Sequence, residues 1–260
     1  MADQLDVLKR LPISAWDYPR VGVFVPIERT ISYAWKFIQW YTKLAIQSPI
    51  FLQHDYATTD VARNRAVEQL LKSDLTHILM LDMDHIHPAN IIQRLAGWFI
   101  VKPEVQVVGG LNYKRGVPYF PCCFIKDENG YAYPTEWESG LMPVDMVGTG
   151  SIMIAREVFE KMERPWFYYP YEQLKEPDGN YLSDDWGFAY KCKDLGIQQY
   201  VDTDMTSPHI TEGLVTEETF REYDRQMIAN GNLTEKGNGN YEWVSNPGRV
   251  PEPVRHKSGV

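Results

Sequence analysis

The sequence predicts an α/β fold: a mostly parallel central sheet drawn from roughly the first 110 residues, joined to a smaller mixed region. Three observations predict it. Short apolar, β-branched runs alternate with helix-spaced segments between Val21 and Val108. Those runs are continuously apolar, as strands buried on both faces are. After Gly110 the texture changes to short strands broken by turn clusters such as Asp127-Glu-Asn-Gly130.

The elements follow in order. Val21–Pro26 is a first strand ended by proline, and Thr30 can cap a helix that carries Tyr33, Phe37, Trp40 and Leu44 near one face. Pro49–Gln53 is a second strand. Asp60 can cap a helix running to about Lys72, with Val61, Ala62, Ala66, Leu70 and Leu71 apolar. His77–Leu81 is an apolar run that stops at Asp82. Pro88 suits a first helical turn, ahead of Ile91, Ile92, Leu95, Trp98 and Phe99 at helical spacing, and Val105–Val108 is the fourth strand.

In the second half, Cys122–Ile125 and Met146–Val147 read as short strands, and Ser151–Ala155 as a buried one leading into a helix from Arg156 to Met162. Trp166–Tyr171 is an aromatic loop. Asp184–Leu195 is helical with Gly196 as its C-cap, Gln198–Val201 is a last strand, and Pro208-His209 lies just beyond it. Glu217–Ala229 is a charged amphipathic helix. From Asn230 on, Gly, Asn and Pro dominate, which reads as a tail ordered by contact or flexible.

Composition narrows the function. The 260 residues are 44% hydrophobic and 23% charged, ordinary for a globular chain. A net charge of −9 argues against nucleic acid as the partner and leaves at most a local basic patch, for instance around Lys114 and Arg115. Eight Trp and 16 Tyr are compatible both with core filling and with stacking faces for sugars. Three cysteines without a CxxC point to a reducing compartment and away from structural zinc. No signal peptide and no apolar run of about 18 residues is evident, so a cytoplasmic protein without a membrane span is expected.

Asp82-Met-Asp84 is the sharpest feature. Ligands of open α/β sheets gather at the carboxyl ends of strands, and alternation sends positions 82 and 84 the same way. Two carboxylates on one side repel, and a divalent cation relieves the conflict: Mg²⁺ and Mn²⁺ take carboxylates together with substrate phosphates. A solvated strand exit with acids capping the next helix would also look like this. His85 and His87 follow at once and read either as ligands or, preferably, as exposed loop histidines. Ser183-Asp184-Asp185 opens a helix, where acids complement the dipole; one of them, Asp185 by preference, could instead take a proton from an acceptor hydroxyl. His209 is a lone histidine whose neutral ring would suit Mn²⁺.

Taken in order, these pieces resemble a GT-A glycosyltransferase of the broad group around family 2. The resemblance runs from about Val21 to His209 and rests on the strand ending in Pro26, Asp60-Val-Ala-Arg63-Asn64, Thr76–Asp84, Val147-Gly148-Thr149-Gly150-Ser-Ile-Met-Ile-Ala-Arg156, and Ser183-Asp184-Asp185-Trp-Gly-Phe188. It implies a Rossmann-like nucleotide-sugar half over about residues 20–110, an acceptor half over about 111–210, and a C-terminal helix and tail over 211–260.

The resemblance also implies roles. Pro26, Ile27 and Glu28 would lie near the nucleoside, and Arg63 beside the nucleotide. Asp82 would approach the ribose or the metal's water shell. Asp84 would bind the metal, with His209 as second protein ligand. Asp185 would be the base of an inverting transfer, with Asp184 near acceptor or donor sugar and Gly148, Thr149 and Gly150 close to the sugar. The donor would be a nucleoside-diphosphate sugar, UDP favoured, with Mn²⁺ preferred over Mg²⁺. The acceptor, a glycan, small molecule or modified base, is not specified, because no motif constrains the loops around 112–142 and 164–182. The compact size resembles phage or bacterial members. Ile27-Glu28-Arg29 departs from the group's usual Thr-Tyr-Asn stretch. A nucleotidyltransferase on the same fold would want a Gly-rich phosphate loop after the first strand, which Val25–Thr30 lacks. A non-catalytic nucleotide- or carbohydrate-binding protein would not need Asp82, Asp84, Asp185 and His209 together.

Overall fold

Apolar runs that alternate with helices can bury both faces only as the middle layer of a sandwich, and that is how they assemble. The computed structural model describes residues 18–26, 50–53, 57–117, 119–128, 130–170, 182–211, 214–231, 233–235 and 241–243. Within these, β1 (Val21–Pro26), β2 (Ile50–Gln53), β3 (His77–Leu81), β4 (Val107–Leu111), β7 (Leu141–Val144), β9 (Ser151–Ala155) and β10 (Gln199–Thr206) form one sheet in the order β2-β1-β3-β9-β4-β10-β7. β1 pairs in parallel with β2 and β3, and β4 with β10. β9 runs antiparallel to both β3 and β4, so those two share a direction, and β7 is an antiparallel edge. Five strands therefore point one way and two the other, the expected mostly parallel sheet, although β7, β9 and β10 come from beyond residue 140 and not from the first 110 residues.

Every residue of β3, β4 and β9 is buried. Helix α1 (Thr59–Leu71) covers β1 to β3, α2 (Ile91–Val101) covers β4 and β10, and α3 (Arg156–Lys161) follows β9 directly. The mixed half holds β5 (Cys123–Asp127), β6 (Gly130–Ala132) and β8 (Met146–Val147) as a small antiparallel sheet against α4 (Asp184–Asp194). Gly130, at φ 115°, supplies the turn conformation that Asp127–Gly130 predicts. Trp186 on α4 packs on Phe124 and Tyr131, and Phe188 stacks on Phe167 at 4.7 Å. Gly187 between them is obligatory, because a Cβ there would stand 2.0 Å from the Tyr168 carbonyl oxygen. A short pair, β11 (His209–Ile210) and β12 (Leu214–Val215), leads to α5 (Glu217–Ala229), whose fully buried Phe220 packs on Tyr113, Tyr133 and Trp137.

Several boundaries differ from the sequence reading. Thr58, not Asp60, stands at the N-cap of α1; Asp60 sits in the first turn and takes the Thr58 hydroxyl. α2 begins at Ile91, and Pro88 lies ahead of it, its carbonyl accepting the Ile91 N–H at 3.1 Å. A turn closed by the Val105 N–H on the Lys102 carbonyl delays β4 to Val107. Edge strand β7 contains Pro143, tolerated because an edge can forgo a ladder donor. Within the tail that the sequence reads as ordered by contact or flexible, β13 (Leu233–Glu235) pairs antiparallel with β14 (Tyr241–Trp243). The helix expected after Thr30 lies outside the described residues, as do Ile27 and Glu28. Among the described residues no helix is long and apolar enough to cross a membrane.

Candidate active site

Strand β3 runs into Asp82, and the chain then pairs with a segment from the far end of β10. The Ile86 N–H donates to the Pro208 carbonyl at 2.9 Å, and the Ile210 N–H donates to the Asp84 carbonyl at 2.7 Å. His85 and His209 are thereby opposite one another, and main-chain bonds hold His209 beside Asp84, 125 residues away in sequence.

Asp84 is the hub. Its Oδ2 accepts from His209 Nε2 at 2.9 Å and from an Arg115 guanidinium nitrogen at 3.1 Å, and its Oδ1 faces His85 Nδ1 at 3.1 Å. Burial opposes charge on this carboxyl, but the hydrogen bonds from His209 and His85 outweigh it and hold Asp84 well below the usual carboxylate range. The His85 and His209 rings stack at 4.0 Å.

His85 and His87, expected as exposed loop histidines, are buried at 7% and 3% exposure. The strand-like pairing with residues 208–210 turns His85 inward. His87 is a buckle behind the acidic loop, with Nε2 2.8 Å from the Asp82 carbonyl and Nδ1 3.0 Å from Ser207 Oγ. Burial pushes its pKa down to about 3, so the ring is neutral, with Nε2 donating and Nδ1 accepting. Gly150 makes room for His85, since a Cβ there would come within 3.0 Å of its ring.

Asp84, His85 and His209 each present one ligand atom within 4.8 Å of the others. The donor chemistry fits a divalent cation of the Mn²⁺ type. His209 Nδ1 lies 3.0 Å from the Tyr113 carbonyl, an obligate acceptor, so Nδ1 carries a proton; Nε2 holds the proton it donates to Asp84, and a cation that displaced that proton would meet the Nε2 lone pair.

A second node stands beside the first. Arg63, from α1, donates through one guanidinium nitrogen to both oxygens of Asp184 at 2.7 Å and through the other to Asp82 at 3.2 Å. Arg63 and Asp184 are buried at 4% and 2% exposure. Asp184 also takes the Thr59 hydroxyl at 3.4 Å, and Thr59 meets the Tyr169 hydroxyl at 2.6 Å. Asn64 clamps the aromatic loop: its amide donates to the Asp60 and Phe167 carbonyls, and its oxygen accepts from the Trp166 and Phe167 N–H groups. Desolvation raises the Asp82 carboxyl, against the lowering effect of Arg63.

Asp185 opens α4 with Oδ1 taking the Ser183 hydroxyl and the Trp186 N–H. Its Oδ2 lies 3.6 Å from where a Cβ of Gly148 would stand. Desolvation, then the charge of Asp184, raise its pKa to about 6 against the pull of Ser183 and Arg63. The Gly150 carbonyl accepts the Asp82 N–H at 3.0 Å, which ties the Gly148-Thr149-Gly150 segment to the acidic strand end. Pro26 ends β1 at the same end of the sheet, two residues beyond the Phe24 and Met80 pair.

The geometry thus gathers Asp84 with His209, and Arg63 with Asp82 and Asp184, in adjoining nodes. The Arg115 guanidinium and the Tyr113 carbonyl were not singled out for this site from sequence. A carbonyl has no sequence signature, and Arg115 carries no motif beyond its charge.

No protein-family model matches the chain, and no curated protein matches it in sequence. Among solved structures, A197 from STIV aligns over 92% of this chain and 99% of its own, at 18% identity and a TM-score of 0.55. GalNAc-T7, solved with UDP, GalNAc and Mn²⁺, aligns over 75% of this chain and 44% of its own, at 11% identity and a TM-score of 0.48. Glucosyl-3-phosphoglycerate synthase from Mycobacterium tuberculosis, solved with Mn²⁺, UDP-glucose and phosphoglyceric acid, aligns over 96% and 93%, at 11% identity and a TM-score of 0.45. The likeness is one of fold. The chain has the α/β fold with a mostly parallel central sheet that the sequence predicts.

Proposed function

We propose that the protein is a metal-dependent glycosyltransferase that moves a sugar from a nucleoside-diphosphate donor to a hydroxyl acceptor. One observation carries the reading: on this fold, main-chain pairing brings the strand-end carboxylate Asp84 and the distant imidazole His209 within 2.9 Å of each other. Asp84 and His209 would hold the divalent cation, Mn²⁺ by preference, with His85 adjacent. That cation supplies Lewis-acid stabilisation of the charge that develops on the leaving diphosphate. Asp82, Pro26 and the undescribed Glu28 are assigned to the nucleotide side, with Arg63 fixing Asp82 from behind.

Asp185 is the base in this reading. With its pKa raised to about 6, it is ionised at neutral pH yet basic enough to accept a proton in the transition state. Its Oδ2 would take the proton from the acceptor hydroxyl as that oxygen bonds the anomeric carbon and the sugar–diphosphate bond breaks, with inversion. Asp184, held by Arg63, lies next to Asp185, and its carboxylate is one cause of the raised Asp185 pKa. Residues 111–210 are assigned to the acceptor, and a UDP-sugar is the first donor to test.

The experiment is incubation with a panel of UDP-, GDP- and TDP-sugars and Mn²⁺. Slow donor hydrolysis that needs the metal and disappears in Asp84→Ala is expected. Absence of binding and turnover for every nucleotide sugar with every divalent metal would sink the proposal.

A further inference from the structure

Arg115 stands where a cation is expected. Its guanidinium lies 3.1 Å from Asp84 Oδ2, the same oxygen that accepts from His209 Nε2 at 2.9 Å. Among the described residues, Asp84 is its ion-pair partner. We infer that Arg115 serves two anions in turn: the Asp84 carboxylate in the free protein, and the diphosphate of the nucleotide donor once a divalent cation takes Asp84. The inference rests on Asp84 as a metal ligand, and goes beyond that assignment by giving Arg115 a role in donor binding.

The first step is a competition. A divalent cation on Asp84 would place two positive centres on one carboxylate. The Arg115 side chain is 52% exposed and that of Asp84 is 23% exposed, so water screens their pair and the guanidinium is the easier partner to lose. His209, held by the Tyr113 carbonyl and by main-chain pairing, stays in place. The base of the Arg115 segment is fixed as well. Tyr113 pairs with Pro121, and the Lys114 N–H donates to the Phe120 carbonyl at 2.9 Å. Release of Arg115 therefore needs only rotation of its own side chain.

The second step follows from what the released group can reach. A diphosphate bound to the same cation as Asp84 would bring its oxygens near the vacated guanidinium position, since that position adjoins Asp84 Oδ2. The planar fork of arginine matches phosphate oxygens bidentately, which a point charge does not. Lys114 provides a control for charge alone. It adjoins Arg115 in sequence, yet its ammonium sits 5.1 Å over the Phe120 ring.

The test is Mn²⁺ binding to the full chain, followed by UDP binding at saturating Mn²⁺, both by titration calorimetry, with no turnover required. Arg115→Gln should tighten Mn²⁺ alone by about 2- to 5-fold, the value of one exposed ion pair. The same variant should weaken UDP by about tenfold, for loss of one charge-assisted contact. Lys114→Gln should leave both affinities within about twofold. Unchanged or weaker Mn²⁺ binding by Arg115→Gln would overturn the exchange, as would unchanged UDP binding, or a Lys114→Gln variant that reproduces both shifts. A wild-type protein that binds no Mn²⁺ would remove the metal site itself, and the inference with it.

Discussion

Replacement of Arg63 by methionine tests whether the site rests on a buried ionic framework. The guanidinium donates to both Asp184 oxygens at 2.7 Å, and the side chains of the pair are only 5% and 3% exposed. Removing one partner of such a pair strands a buried charge and costs about 3–5 kcal/mol. The contact to Asp82 adds less, because that carboxyl is 27% exposed. One term works the other way: Arg63 Nε is buried without a hydrogen-bond partner, and methionine relieves that orphan by about 1 kcal/mol. The net expectation is a loss of about 2–4 kcal/mol, or about 4–16 °C in melting temperature for a chain of this size. Thermal and urea unfolding followed by circular dichroism at neutral pH would measure it. Arg63→Met combined with Asp184→Asn should return to within about 1 kcal/mol of wild type, since the stranded charge is gone. A single-variant loss below about 1 kcal/mol, or a double variant less stable than the single, would refute the reasoning.

Further outcomes follow from the same geometry. The Asp185 pKa is raised to about 6, so ionised Asp185 disfavours the fold above that pH; Asp185→Asn should raise the melting temperature at pH 8, with the gain fading as pH falls from about 6 to 4. The same variant should bind nucleotide sugar normally and transfer no sugar, and normal transfer would remove Asp185 as base. Burial depresses the His77 pKa to about 3; the unfolded chain therefore takes up its proton first, and stability drains away as pH falls from about 6.5 towards 3. His77→Leu should flatten that slope in acid titrations followed by fluorescence. Gly187→Ala, whose Cβ would meet the Tyr168 carbonyl oxygen at 2.0 Å, should cost about 3 kcal/mol or more in urea unfolding.

The sheet was legible in sequence because its strands are buried on both faces and read as unbroken apolar runs. His77–Leu81 and Ser151–Ala155 were bounded by acid and by helix, and their limits stand. β9 shows the limit of that signal: an antiparallel strand between β3 and β4 is as apolar as a parallel one, so its direction and place leave no trace in hydropathy. Edge strand β7 leaves no signal in sequence because Pro143 and a half-exposed pattern hide it. Asp82, Asp84 and Asp185 could be singled out because strand-end and helix-start positions make acids conspicuous, whereas His209, a lone histidine, gains its role only through the resemblance. His85 and His87 look exposed in sequence because the partner that buries them, residues 207–210, arrives some 120 residues later. Asn64 carried no clue that its amide would clamp Trp166 and Phe167.

The central claim is that Asp84 and His209 hold a divalent cation that carries a nucleotide diphosphate. A crystal grown with Mn²⁺ and UDP, with data collected at an energy where manganese scatters anomalously, tests it most directly. The account predicts an anomalous peak bonded to an Asp84 carboxylate oxygen and to His209 Nε2, with diphosphate oxygens completing its shell. UDP bound elsewhere, or a manganese peak remote from both residues, would contradict it.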